Sequence, residues 1–162
     1  MAQIAIRPVT EQDYDALSHV YGHTVRKLGP DRYSSDQIEA WAMYSKDHAA
    51  FHDFVFGCYT IVAELDGRIA GFSGIASDGH VVSLYVHGDC TRMGVGSKLL
   101  EAVMEYARFN RMPRLYTEAS KFSHELFGRF GFTVDEEETV IRNGVAFDRY
   151  KMSLQLDSSL PL

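Results

Sequence analysis

The segment Cys90-Thr91-Arg92-Met93-Gly94-Val95-Gly96-Ser97-Lys98 holds the residue types that an anion-binding helix end requires. Val81 to Val86, just ahead of it, reads as a strand. Behind it, apolar side chains at Val95, Leu99, Leu100, Val103, Met104 and Ala107 recur with helical spacing. A strand therefore runs into a glycine turn, and the turn opens a helix. The first amides of such a helix have no internal acceptor and bind a phosphate or another anion. Gly94 and Gly96 have no Cβ, which lets a ligand approach the backbone closely. A dinucleotide fingerprint would want a third glycine where Leu99 stands, and no Gly-Lys-Ser/Thr follows at P-loop spacing.

Other residues offer chemistry of different kinds. His19 with His23, and His48 with His52, stand one helical turn apart, the spacing of a two-imidazole metal site. No His-Glu-x-x-His pattern accompanies them, and solvated or capping histidines are the simpler reading, so no metal is expected. Cys90 beside the glycine turn is either a reactive thiol or an inert one at a strand end. Tyr21, Tyr33, Trp41 and Tyr44 lie on amphipathic segments and belong to the core or to a pocket wall. Glu118 sits inside a predicted strand, in phase with Tyr116 and Ser120, so these three share a face.

The surrounding pattern predicts the elements that place these groups. Ile4 to Ile6 is a first strand; Thr10 caps a helix that ends at Gly29-Pro30; Ser34 and Gln37 form a capping box ahead of Ile38 and Trp41. A short helix covers His48 to Phe54. Cys58 to Leu65 and Ile69 to Ala76 form a hairpin over Asp66-Gly67, and Asp78-Gly79 turns into the next strand. After the motif helix come a strand at Leu115 to Ala119 and a helix from Ser120 to about Arg129. A strand then starts at Phe132, and a hairpin over Asn143-Gly144 joins Thr139–Arg142 to Val145–Leu154. The expectation is one α/β domain over residues 1–156, with a mixed sheet, helices on both faces and a tail at 157–162.

Composition narrows the classes. Apolar content of 46% with 23% charged residues is that of a globular domain with a full core. The apolar runs are too short to span a bilayer, and the N-terminus is not patterned as a signal peptide. Two cysteines form no disulfide framework, so a cytoplasmic protein is expected. A formal net charge of −6 argues against nucleic-acid or anionic-membrane partners. The run Asp135 to Glu138 reads as a solvated strand edge.

The glycine turn resembles motif A of the GCN5-related N-acetyltransferases, the GNAT family, with Gly94 and Gly96 in register. Thr91 stands at the position usually held by Gln or Arg, and Arg92 comes one step late. Thr117-Glu118-Ala119-Ser120, Leu126-Phe127 and Gly131-Phe132 resemble motif B, and Tyr150-Lys151-Met152 and the segment Tyr33 to Trp41 resemble one subset of the family. The element order matches that fold across nearly the whole chain. The resemblance implies a mostly antiparallel sheet of about seven strands, splayed between the fourth and fifth. It implies acetyl-CoA as cosubstrate, with the backbone of Leu84, Tyr85 and Val86 pairing with the pantetheine arm. The amides of Met93, Gly94, Val95, Gly96 and Ser97, with Arg92 and Lys98 nearby, would hold the pyrophosphate. Ser120 and Phe127 would also touch the cofactor.

The implied reaction is acetyl transfer to a primary amine of a small molecule or peptide, by direct attack in a ternary complex. The amine must be neutral to attack, so a base is wanted. If the face of Glu118 is the splayed gap, Glu118 is that base; otherwise it is an acid paired with an arginine. The family's usual tyrosine acid falls at Phe127, which has no proton to give. The thiolate then leaves unassisted, or Tyr150, Tyr85 or His124 serves. Tyr150 ranks first on the subset's pattern, with a core tyrosine as its other reading. A non-catalytic acyl-CoA-binding module is the alternative, a Rossmann-type nucleotide protein a further rival, and a homodimer is a family-level expectation.

Overall fold

The structure, a computed structural model, describes residues 3–156; the tail expected at 157–162 lies outside them. Seven strands and five α-helices follow in the order β1 (Ile4–Pro8), α1 (Tyr14–Leu28), α2 (Ser35–Ala42), α3 (His48–Phe56), β2 (Tyr59–Leu65), β3 (Arg68–Ile75) and β4 (Val81–Val86). They continue with α4 (Val95–Phe109), β5 (Arg114–Ala119), α5 (His124–Arg129), β6 (Thr133–Arg142) and β7 (Val145–Gln155). The strands form two antiparallel sheets, β1-β2-β3-β4 and β5-β7-β6. The α/β class, the antiparallel ladders and the break between β4 and β5 agree with expectation. The single mixed sheet is replaced by two sheets, and the parallel contact shrinks to an isolated bridge between His80 and Tyr116.

Local chemistry explains most element ends. Ser34 Oγ accepts from the Gln37 amide at 3.2 Å and Gln37 Oε1 accepts from the Ser34 amide at 2.9 Å, which closes the box at the start of α2. Ahead of α1 the chain makes a short turn at Glu11–Asp13, where the Asp13 carboxylate accepts from the Thr10 amide and from two N–H groups of Arg7. Helix α5 starts later than expected. Ser120 Oγ accepts from the amides of Phe122 and Ser123, both at 3.2 Å, and this local turn displaces the first helical turn. Strand β6 runs unbroken through the acidic segment, and that segment lies on the open edge of its sheet with Glu136 and Glu138 paired to Lys151 and Arg149.

Strand β2 shows how two cores arise. Ile61 and Ala63 point into one cluster with Leu99, Leu100, Val103 and Phe127, beneath α4 and α5. Val62, between them, points the other way, into a cluster with Leu17, Val20, Phe51 and Phe72 beneath α1 to α3. The sheet is thus buried on both faces, which is why β2 and β3 read as nearly continuous apolar runs.

The break between the sheets has a mechanical cause. Gly79, at φ +95°, lies so close to β5 that a Cβ would meet the Arg114 carbonyl oxygen at 2.1 Å. The Tyr116 amide donates to the Gly79 carbonyl at 3.1 Å, and Thr117 Oγ1 donates to the Val81 carbonyl at 2.9 Å. Those bonds seam β4 to β5 at one end. On its other side β4 pairs Ser83 with Gly74 and Val81 with Ile75, so Val82 is an extra residue in the ladder. Such a bulge bends its strand. Past the seam β4 keeps β3 on one side and no strand on the other, and a gap opens toward Val86.

Candidate active site

The mouth of the gap is the glycine turn. Arg92 and Gly94 hold φ of +62° and +84°, and α4 begins at Val95. A Cβ on Gly94 would meet nothing within 4 Å, so glycine is needed there for its backbone conformation. The first amide with a helical acceptor is that of Lys98, which donates to the Gly94 carbonyl at 3.0 Å. The amides of Val95, Gly96 and Ser97 therefore point out of the positive end of α4. Thr91, Arg92, Met93, Gly94 and Lys98 are exposed around them. A Cβ on Gly96 would stand 2.9 Å from Leu126 Cδ2 and 3.5 Å from Val86 Cγ2, so glycine there also lets α4 sit against α5 and β4.

Inside the mouth lies a cavity of about 510 Å³, lined by Leu84 and Tyr85 of β4, Glu118 of β5, Ser120, and Phe127 of α5. Its size is that of a small-molecule site. Val86 is not among its lining residues, and its carbonyl accepts from Thr24 Oγ1 at 2.9 Å. At the seamed end Glu118 Oε1 and His80 Nε2 are 2.8 Å apart. This bond, more than burial opposes it, holds the Glu118 carboxyl below its ordinary range. The arginine partner considered for Glu118 is thus replaced by His80; the nearby Arg149 is taken by Glu138 at 2.5 Å. The His80 ring lies flat on Tyr116, with centroids 4.7 Å apart, and Tyr116 donates to Asp78 at 2.6 Å, which pushes its own pKa up to about 12.

The family model of the acetyltransferase (GNAT) domain matches residues 30–154. The chain belongs to the GNAT acetyltransferases. It is 27% identical, over 153 residues and 94% of its length, to a protein of Escherichia coli (strain K12) called uncharacterized N-acetyltransferase YafP, 96% of which is covered. A solved structure from Rhodopseudomonas palustris, called a GCN5-related N-acetyltransferase and a class-II aminotransferase, has a TM-score of 0.92 at 30% identity, covering 96% of this chain and 98% of that one. The PaiA N-acetyltransferase of Thermoplasma acidophilum, solved in complex with coenzyme A, has a TM-score of 0.76 at 16% identity, covering 95% and 99%. Among the described residues no helix is long and apolar enough to cross a membrane.

In this GNAT domain the tyrosine candidates separate. Tyr85 lines the cavity, and its hydroxyl accepts from Trp41 Nε1 at 3.3 Å. Burial raises its pKa, so it keeps its proton. Tyr150 does not line the cavity. It pairs with Ala119 on the face opposite Glu118, packs against the α4–α5 core and stacks on His124 at 4.5 Å. Strand parity sets its side chain on the face away from Glu118, and it is absent from the lining that Phe147, Asp148 and Arg149 supply from β7. His124, on the same far side as Tyr150, is likewise outside the lining. Phe127 is 2% exposed.

The aromatic candidates Tyr21, Tyr33, Trp41 and Tyr44 all line the cavity, joined by Phe54 and Phe147. His80 was missed by sequence reasoning. Its only signal is its place after the Asp78-Gly79 turn, because the pairing with Glu118 crosses between sheets. The histidine pairs are engaged elsewhere: His48 stacks on Tyr14 and His52 meets Glu11. His23, with His87 and Asp89, brings three ligand-type atoms within 4.8 Å of one another, and Lys27 is paired with that aspartate. Cys90 and Cys58 are free thiols, and burial pushes the Cys58 pKa up.

Proposed function

We propose that this protein transfers the acetyl group of acetyl-CoA to a primary amine within the β4–β5 gap. The observation that carries this reading is the continuity of the gap. The unpaired edge of β4 runs from the His80–Glu118 pair, past Leu84 and Tyr85, to the left-handed turn at Gly94 and the outward amides of α4. An extended thioester arm pairs with such an edge as an added strand, and its pyrophosphate takes the helix end. Arg92 and Lys98 supply charge beside those amides, and Ser120 and Phe127 border the arm. The cosubstrate supplies an activated acyl group and a thiolate leaving group.

The chain's own residues manage the protons. An ammonium cannot attack, so the acceptor must give up a proton to the protein. Glu118 alone is a weak base, because the hydrogen bond from His80 stabilises its charged form. The pair works better as a unit: Glu118 accepts from His80 Nε2, fixes the ring on Tyr116, and leaves Nδ1 to take the proton. Tyr85 is the protonated hydroxyl on the cavity wall and serves the departing thiolate. A cytoplasmic setting is consistent with the two free thiols.

The buried Phe127 favours one second reading, a module that binds acyl-CoA without turnover. An assay for released coenzyme A thiol separates them. Thiol release that requires both acetyl-CoA and an amine is expected. Tight acetyl-CoA binding with no transfer to amino acids, polyamines, arylalkylamines, aminoglycosides or peptide N-termini would establish the binding module instead.

A further inference from the structure

We infer that the acceptor is a primary amine borne on an aromatic or similarly flat apolar body, with a single amino group, rather than a polyamine or a peptide. This rests on the transferase reading of the same cavity. One wall of the cavity is built from Tyr21 of α1, Trp41 of α2, Tyr44 just beyond it, Phe54 of α3 and Phe147 of β7. Their rings meet mostly edge to face: Tyr44 and Phe54 at 5.4 Å and 88°, Trp41 and Phe147 at 6.4 Å and 81°. Such a wall offers apolar faces to a planar guest. Tyr44 is 37% exposed, so part of the wall is open surface rather than packed core.

Charge points the same way. The lining includes two acids, Glu118 and Asp148, and two arginines, Arg142 and Arg149, and of the two acids only Glu118 shares the face of Phe147 and Arg149. Glu118 is engaged by His80, and Asp148 accepts from Thr139 Oγ1 at 2.7 Å. A polyamine needs a surplus of free carboxylates to hold its further ammonium groups, and the cavity has none. A peptide needs an open groove. The 510 Å³ here must also take the acetyl end of the cosubstrate, which leaves room for a body of one or two rings.

Trp41 is the only tryptophan in the chain, so its fluorescence reports occupancy of this wall without turnover. The experiment titrates acetyl-CoA-saturated protein with 2-phenylethylamine, spermidine and a tripeptide, and measures thiol release with each. Phenylethylamine is expected to change Trp41 emission saturably and to exceed spermidine in kcat/KM by roughly tenfold to a hundredfold, the worth of burying one ring. Tyr44→Ala, at a part-exposed position, should erase most of that margin while acetyl-CoA affinity stays unchanged. Higher or equal kcat/KM with spermidine or the tripeptide overturns the acceptor class and leaves the transferase reading standing. Emission that responds to phenylethylamine without any thiol release overturns the transferase reading and leaves the pocket assignment standing. No response of either kind overturns both.

Discussion

The cofactor side of the gap runs through one short stretch of chain, Leu84 to Lys98, whereas the chamber opposite is assembled from α1, α2, α3, β5 and the β6–β7 hairpin. The first is a matter of backbone: a free strand edge, a left-handed turn and the outward amides of a helix. The second is a matter of side chains that meet only after both sheets have formed. A site made of backbone tolerates change in side-chain identity, so the departures at Thr91 and Arg92 leave the proposed cofactor site intact. A site made of distant side chains changes with any one of them, so the proposed function assigns acceptor choice to the chamber.

The largest expected effect lies on the chamber side. His80→Gln should lower turnover roughly a thousandfold, within the usual range for losing a positioned base, with acetyl-CoA affinity unchanged. Unchanged turnover would return the base role to Glu118 or to water.

On the cofactor side, Gly94→Val should weaken acetyl-CoA binding roughly a hundredfold in calorimetry, because a β-branched residue resists φ +84° and the outward amides lose their aim. Near-native affinity in a folded variant would detach the phosphate site from this turn. Gly96→Val should differ in kind, lowering the melting temperature as well, since its side chain presses on Leu126.

Tyr85→Phe and Tyr150→Phe sharpen the contrast between gap and core. The first should cost turnover roughly tenfold if the hydroxyl protonates the thiolate. The second should leave turnover within about twofold, since Tyr150 faces α5. The reverse ranking would reinstate Tyr150.

The smallest effect on catalysis is expected far from the gap, at the Arg7–Asp13 pair. Arg7 holds the Asp13 carboxyl down to about 2, against an ordinary 3.8. The pair's stabilisation is therefore complete above the ordinary value and fades as pH falls through about 2. Asp13→Asn should cost at most about 2 kcal/mol at pH 7, since Arg7 is partly solvated, with activity intact. That cost should narrow toward pH 2 in acid unfolding curves. A constant cost across that range would assign the loss to packing.

The strand-turn-helix around Gly94, the hairpins at Asp66-Gly67 and Asn143-Gly144, the Ser34–Gln37 cap and the shared face of Tyr116, Glu118 and Ser120 were all legible in the sequence. Each rests on neighbours a few residues apart, where spacing and local hydrogen bonds decide. The family resemblance supplied the gap and its cosubstrate. Tertiary structure alone decided that His80 meets Glu118, that Tyr150 turns from the gap, and that Gly96 is bare for Leu126. The first depends on how one sheet is seamed to the other at Gly79, the second on the register of β5 with β7, where a single step exchanges the two faces, and the third on how α4 packs against α5.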